Sequence, residues 1–425
     1  MRPTEHLLDR GHRRLRLLPA LVCAALAATS AWPQPATSAA GCPLSVDAAS
    51  VPADVPGEYR HVTLLKVARQ RYAALAAAPR FNDLPPLPAR RSLRGGDAYA
   101  GLPALWHSLQ QWGDLDPSLP PPPPGAVLDA TLVEALQRFQ SRHGLEPDGV
   151  LGPATWRALV VPMSLRLRQI DLSLARARRL PPRPAGRFIV VNIPQFRLYA
   201  FASADEEEAS MLAMDVIVGR SLPTQRTPAF SASLKSVVFR PYWDVPGRIL
   251  REELLPDLRR DREALARQGF EAVRGPADES PVVPWSAAAV EALARGELRL
   301  RQRPGPLNPL GQVKFLLPNE HAVYLHSTAA PRLFAATRRT FSHGCVRVAD
   351  AEALARYVLG QEPGWDAARI AAALASQAPP ERVTLQQPLP VLLVYATAIA
   401  AEDGRVLFFE DVYGHDRRDA AAAGR

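Results

Sequence analysis

The stretch of this 425-residue chain with the richest chemistry is "TFSHGCVRV", Thr340 to Val348, which holds the only cysteine beyond the first fifty residues. A cysteine attacks a carbonyl as its thiolate, so Cys345 needs a group to take its proton or a nearby cation to lower its pKa. His326, nineteen positions earlier in "YLHST" at the end of an expected strand, and His343, two positions before the thiol, are the candidate bases. Arg347 is the adjacent cation. Gly344 leaves the nucleophile's neighbour without a side chain, which lets backbone amides at residues 343–345 face a substrate oxygen. Each residue alone also has a plain structural reading, a buried thiol or a satisfied core histidine. His321, His326, His343 and Cys345 offer nitrogen and sulfur donors, but without the short paired spacings of a zinc site, so no metal is expected. A disulfide between Cys42 and Cys345 would quench the thiol.

These side chains require strands and turns to bring them together. From Arg187 onward "RFIVVNIPQFRLYAF", "MLAMDVIVG", "AFSASLKSVVFRPYW", "QVKFLL" and "AVYLHS" alternate or run apolar between Pro and Gly turns, which predicts a mainly antiparallel β domain. Residues 248–296, rich in Arg, Glu and Ala, interrupt it and read as an inserted helical lid or a solvated helical decoration. Upstream, "LDATLVEALQRFQSRHGLEPDGVLGPATWRALVV" predicts two helices around a D-G turn. Asp129 or Thr131 caps the first, Leu132, Leu136 and Phe139 share its apolar face, Gly144 ends it, and Pro153 opens the second, which buries Trp156, Leu159 and Val160. "HVTLLKVARQRYAALAAA" adds a scaffold helix, and "PSLPPPPPG" an exposed loop.

"LVEALQRFQSRHGLEPDGVLGPATWRAL" resembles the peptidoglycan-binding repeat of wall enzymes, with its F-Q-x-x-x-G-L-x-x-D-G-x-x-G-P-x-T signature. His326 followed by Ser342-His343-Gly344-Cys345 resembles the catalytic motif H-x15-S-H-G-C of L,D-transpeptidases, the YkuD-type cysteine enzymes of the bacterial wall. "RSLRGGD", "RQIDLSLARARRLP", "FRPYWDVP", "PGPLNPLGQVKFLLPNEHAVYLHST" and "LPVLLVYATAIAAEDGRVLFFEDVYGHD" are similar to the large periplasmic branch of that family. Ser327, where the larger enzymes often carry Asp, is a permitted variant.

The resemblance implies an α+β protein. Its expected parts are a signal peptide at 1–31, a scaffold segment at 46–93, a helical peptidoglycan-binding domain at 94–162, a helical linker at 163–185, a catalytic domain at 186–416 and a disordered tail at 417–425. It further implies Cys345 as nucleophile, His326 as base, the Ser327 carbonyl as orienter of the imidazole, and an oxyanion and loop-positioning role for His343 and Gly344. Arg347, Ser342, Tyr324 and Trp243 are the expected substrate contacts. The implied reaction joins third residues of peptidoglycan stems through a thioester, releasing D-Ala and using no cofactor. The alternatives are an L,D-carboxypeptidase, a wall-protein hydrolase or ligase with the same thiol, and an inactive wall-binding protein. Stem peptides are the expected partners, with room for other wall-synthesis proteins, and the oligomeric state is left open.

The N-terminus, five arginines and then an apolar run from Leu17 to about Ala28, has the layout of an export signal and implies a periplasmic protein; an uncleaved anchor or lipidation at Cys42 are the alternatives. The formal charge of +9 suits an anionic wall polymer, and export makes nucleic acid an unsuitable partner. Lysine accounts for three of the 51 basic residues, so the charge is almost all arginine, a compositional habit rather than a binding signal.

Overall fold

The computed structural model describes residues 58–77, 84–88, 92–202 and 212–423. The N-terminal stretch expected to be an export signal, Cys23 and Cys42, and with them the disulfide and lipidation readings, lie outside the described residues. Asp244–Arg303 clusters as one compact unit; the described chain before and after it forms a second.

The second unit opens with helices α1 (Arg60–Ala77), α2 (Leu102–Gln111), α3 (Ala130–Arg142), α4 (Pro153–Leu159) and α5 (Met163–Ala177). Asp129, not Thr131, caps α3, accepting the Leu132 amide at 2.9 Å. Gly144 follows at φ +63°. Leu132, Leu136 and Phe139 are fully buried, as their spacing requires. In α4, Leu159 is buried but Trp156 is only partly so, as is Val160 just past the helix end; the Trp156 indole donates to the Pro85 carbonyl at 2.9 Å. Gln140 is the knot of this module. Its amide nitrogen donates to Asp148 at 2.7 Å, to the Val150 carbonyl and to Thr155, and its oxygen accepts the Gly149 amide at 2.8 Å.

Nine strands form the main sheet: β1 (Phe188–Asn192), β2 (Arg197–Phe201), β3 (Leu212–Gly219), β4 (Phe230–Phe239), β9 (Val313–Leu316), β10 (Leu325–His326), β11 (Thr340–Ser342), β12 (Val346–Val348) and β13 (Glu381–Val394). Their order is β11-β3-β12-β10-β9-β4-β13-β1-β2, and β2 also pairs with β3, so the sheet closes on itself. Most pairings are antiparallel. The exceptions are β1 with β13, β11 with β3, and β10 with β12, the pair that carries the candidate site. Helices α9 (Ala351–Leu359) and α10 (Ala367–Ala375) bury Leu354, Ala355, Val358, Leu359, Ile370 and Ala373 in the core of this sheet.

A hairpin near the end of the chain, β14 (Ala398–Ala400) with β15 (Val406–Phe408), joins the helical core. Phe408 lies with its ring centroid 5.5 Å from Tyr72 and 6.3 Å from Trp112. The buried Arg142 guanidinium pairs with buried Asp114 and also donates to the Val406 carbonyl at 2.9 Å. The residues expected as a disordered tail from 417 instead continue helix α11 (His415–Ala423), because Arg176 of α5 pairs with both Asp416 and Asp419.

The other unit begins at Asp244, the second residue of β5 (Trp243–Asp244). It holds α6 (Gly247–Ile249), a π-helical stretch Leu250–Leu254, α7 (Leu255–Arg267), β6 (Phe270–Val273), β7 (Val282–Val283), α8 (Ala287–Arg295) and β8 (Arg299–Gln302). Its composition predicted helix alone, yet β6 pairs antiparallel with both β7 and β8. The strands were hidden by charge: Arg301 in β8 is buried, with Glu271 of β6 and the Asp278 carbonyl taking up its guanidinium.

Candidate active site

Register assembles the site. In the parallel pair β10/β12, Leu325 matches Val346 and His326 matches Arg347; in the antiparallel pair β10/β9, His326 matches Lys314. Leu325, Val346 and Phe315 are fully buried in the core. Side chains alternate across a strand, so His326, Arg347 and Lys314 share the opposite face with the neighbouring Tyr324 and Cys345. The Val346 amide donates to the Tyr324 carbonyl at 3.1 Å, which sets Cys345 beside Tyr324.

The loop before Cys345 is held from within. Ser342, 2% exposed, accepts the Gly344 amide at 3.1 Å and donates to the Cys345 carbonyl. Gly344 has φ +124°, a conformation other residues rarely adopt, whereas a Cβ there would lie 3.6 Å from the nearest atom, the Arg226 carbonyl oxygen. Glycine is demanded by the dihedral, not by lack of room.

Burial dominates the electrostatics. It pushes the Cys345 thiol up, opposed by contact with Tyr324 and by the charges of Lys314 and Arg347. It pushes the His326 imidazole down to about 3; Arg347 adds to this, and nearby backbone groups of Ser327 and Leu310 act the other way. Burial and the neighbouring Cys345 hold the Tyr324 hydroxyl well above its usual range. Lys314 Nζ lies 4.1 Å from the Tyr324 ring centroid, and the Tyr324 and His326 rings are 5.6 Å apart. At neutral pH the pair is therefore a thiol and a neutral imidazole, with the imidazole able to accept a proton.

The expected residues fall into distinct places. Tyr324, His326, Cys345 and Arg347 are brought together on one face. The thiol is half-buried and its hydrogen bond goes to the Ala322 carbonyl at 3.8 Å; among the described residues no hydrogen bond joins it to His326. Catalytic hydrogen bonds are commonly long without substrate, so this does not separate the two functionally. His326 Nδ1 is buried and makes no hydrogen bond of close geometry, while the Ser327 and Leu310 backbone still acts on the ring in favour of its protonated form. Ser327 also ties down the adjoining loop through its hydroxyl, which donates to the Leu310 carbonyl at 2.9 Å and accepts the Gln312 amide at 2.6 Å and the Val313 amide at 3.1 Å. Ser342, expected against substrate, spends both hydrogen-bonding directions inside the loop. Trp243 is buried, 5% exposed, which leaves little surface for a ligand. His343 is half-buried in the loop between Ser342 and Gly344.

Sequence reasoning missed Thr227, Tyr413, Lys314 and Arg220. Thr227 donates its hydroxyl to the Gly344 carbonyl at 2.7 Å, and the Arg220 amide donates to the Ser342 carbonyl at 2.9 Å. No local spacing links them to Cys345; of the four, Tyr413 in "DVYGHD" and Lys314 in "QVKFLL" lay in segments that had drawn notice.

The sequence of residues 186–374 matches the YkuD family, described as "L,D-transpeptidase catalytic domain", and 100–159 matches one described as "Putative peptidoglycan binding domain". The chain carries an L,D-transpeptidase catalytic domain. A Haemophilus influenzae protein named "Putative L,D-transpeptidase" is 32% identical to it over 257 residues, 59% of this chain and 48% of that protein, so the match spans about half the relative's length. Among solved structures, an L,D-transpeptidase from Stackebrandtia nassauensis is 12% identical, covers 73% of this chain and 97% of its own, and has a TM-score of 0.26. One from Xylanimonas cellulosilytica is 16% identical over 73% of this chain and 100% of its own, with a TM-score of 0.19. The transpeptidase domain begins with β1, contains the Asp244–Arg303 unit, and includes every member of the Cys345 face.

Proposed function

We propose that this protein is an exported peptidoglycan L,D-transpeptidase working through a thioester on Cys345. The observation that carries this reading is the shared face of Tyr324, His326, Cys345 and Arg347 across β10 and β12 within the transpeptidase domain. His326 takes the thiol proton as sulfur attacks the carbonyl of the third stem residue. The tetrahedral oxyanion needs a donor; the Gly344 amide already serves Ser342, and of the amides at 343 and 345 that of Cys345, on the nucleophile itself, is assigned the role. Collapse passes the proton from His326 to the leaving amine of D-Ala and leaves the thioester. The side-chain amine of a second stem attacks it, His326 takes up a proton, and sulfur departs to be reprotonated. Arg347, whose Nε is buried without a hydrogen bond, and Arg220, whose charge it feels, suit a stem carboxylate. The helical module at 100–159 would hold the enzyme on the same polymer.

Purified protein incubated with disaccharide tetrapeptide should give cross-linked dimer and free D-Ala by mass spectrometry, and Cys345→Ala should give neither. Tripeptide without dimer would assign the protein as a carboxypeptidase; dimer from Cys345→Ala would remove the nucleophile assignment.

A further inference from the structure

Two side chains far from Cys345 in sequence form a closed hydrogen-bond ring behind it. The Thr227 hydroxyl accepts the Gly219 amide at 2.9 Å and donates to the Gly344 carbonyl at 2.7 Å. The Tyr413 hydroxyl accepts the Thr227 amide at 3.2 Å and donates to the Gly219 carbonyl at 2.7 Å. Each hydroxyl has one proton, and each is used once. Thr227 is 1% exposed and Tyr413 3%. Tyr413 is held in turn, its amide donating to the Tyr395 hydroxyl at 2.9 Å, which donates to Asp411 at 2.7 Å.

The Gly344 carbonyl and the Cys345 amide belong to one peptide unit. That unit is planar and trans, so its C=O and N–H point in opposite directions. Pinning the carbonyl on Thr227 therefore fixes where the Cys345 N–H points, and a hydrogen bond to the carbonyl polarises the N–H into a stronger donor. We infer that Thr227 is a positioning residue that orients the Cys345 amide toward the oxyanion, and that Tyr413 positions Thr227. This rests on the reading of Cys345 as the acyl-accepting nucleophile.

The test compares two reactions of the same thiol in the full-length protein. Acylation by p-nitrophenyl acetate passes through an oxyanion; alkylation by iodoacetamide does not. Both are read by intact-protein mass and rate. Thr227→Val should slow acylation roughly 10- to 100-fold, below the full loss of an oxyanion donor, while changing alkylation less than about threefold. Thr227→Ser should recover most of the acylation rate. Tyr413→Phe, which keeps the Thr227 hydroxyl, should slow acylation by a smaller factor, and it decides the matter if Thr227→Val does not fold. The inference is overturned if acylation and alkylation fall together, if neither falls, or if wild-type Cys345 is alkylated but not acylated. A wild type that acylates yet makes no stem dimer would sink the transpeptidase reading alone, and the rate comparison would still decide the role of Thr227.

Discussion

His326 stands in register between two cations, Arg347 on β12 and Lys314 on β9. Both disfavour the imidazolium, on top of a burial that already does so. Replacing Arg347 by Gln should move the His326 titration upward from about 3, though not to 6.5, because burial is the larger cause and remains. The Cε1 proton chemical shift of His326 against pH measures this; an unmoved curve would show that Arg347 has no hold on the base.

The same depression has a sign for stability. An unfolded imidazole takes a proton near 6.5, while folded His326 waits until about 3. Between these values the unfolded state binds more protons, so stability falls as pH is lowered through the window. His61, pushed down to about 4 by burial, and His143, pushed well below its usual value, act in the same direction. In His326→Gln the slope of unfolding free energy against pH between roughly 4 and 6 should be shallower by up to about 1.4 kcal/mol per unit. Urea titrations across that range measure it, and an unchanged slope would contradict a neutral buried His326.

Two glycines near the thiol should respond differently to alanine. At Gly344 the added Cβ has room but the dihedral is unfavourable, so Gly344→Ala should cost about 1–3 kcal/mol and at least tenfold in activity. At Gly219 a Cβ would lie 2.0 Å from the Gln225 carbonyl oxygen, so backbone must move. Chemical denaturation should find Gly219→Ala the more destabilised; equal losses would mean the loop yields more readily than its hydrogen bonds suggest.

The Arg142–Asp114 pair is buried on both sides. Arg142→Met alone leaves a buried carboxylate uncompensated and should cost about 3–5 kcal/mol. Adding Asp114→Leu should return a good part of that loss. A double mutant no better than the single would place the cost in the lost bonds to the Val406 and Trp112 carbonyls instead.

Local pattern made much of this molecule legible. The 3.6-residue spacing of Leu132, Leu136 and Phe139 marked the buried face of α3, and the strand texture after Arg187 marked the β domain. The signature F-Q…D-G…T was visible too, but its meaning was not: Gln140, Asp148, Gly149 and Thr155 are one hydrogen-bond knot, which holds the turn together. What stayed hidden was made by closure of the chain. Thr227 lies 117 residues from Gly344 and Tyr413 lies 186 from Thr227, so no spacing rule could join them. The strands β6 and β8 were hidden because a paired, buried arginine is written with the same letter as a solvated one.

The β14–β15 hairpin bears on heredity. Sequence marks residues 100–159 as a module, yet Phe408 fills its core and the Val406 carbonyl receives its buried arginine. A gene rearrangement that moved the marked segment alone would leave behind part of its interior, so productive exchange of this module between proteins has to carry the distant hairpin with it.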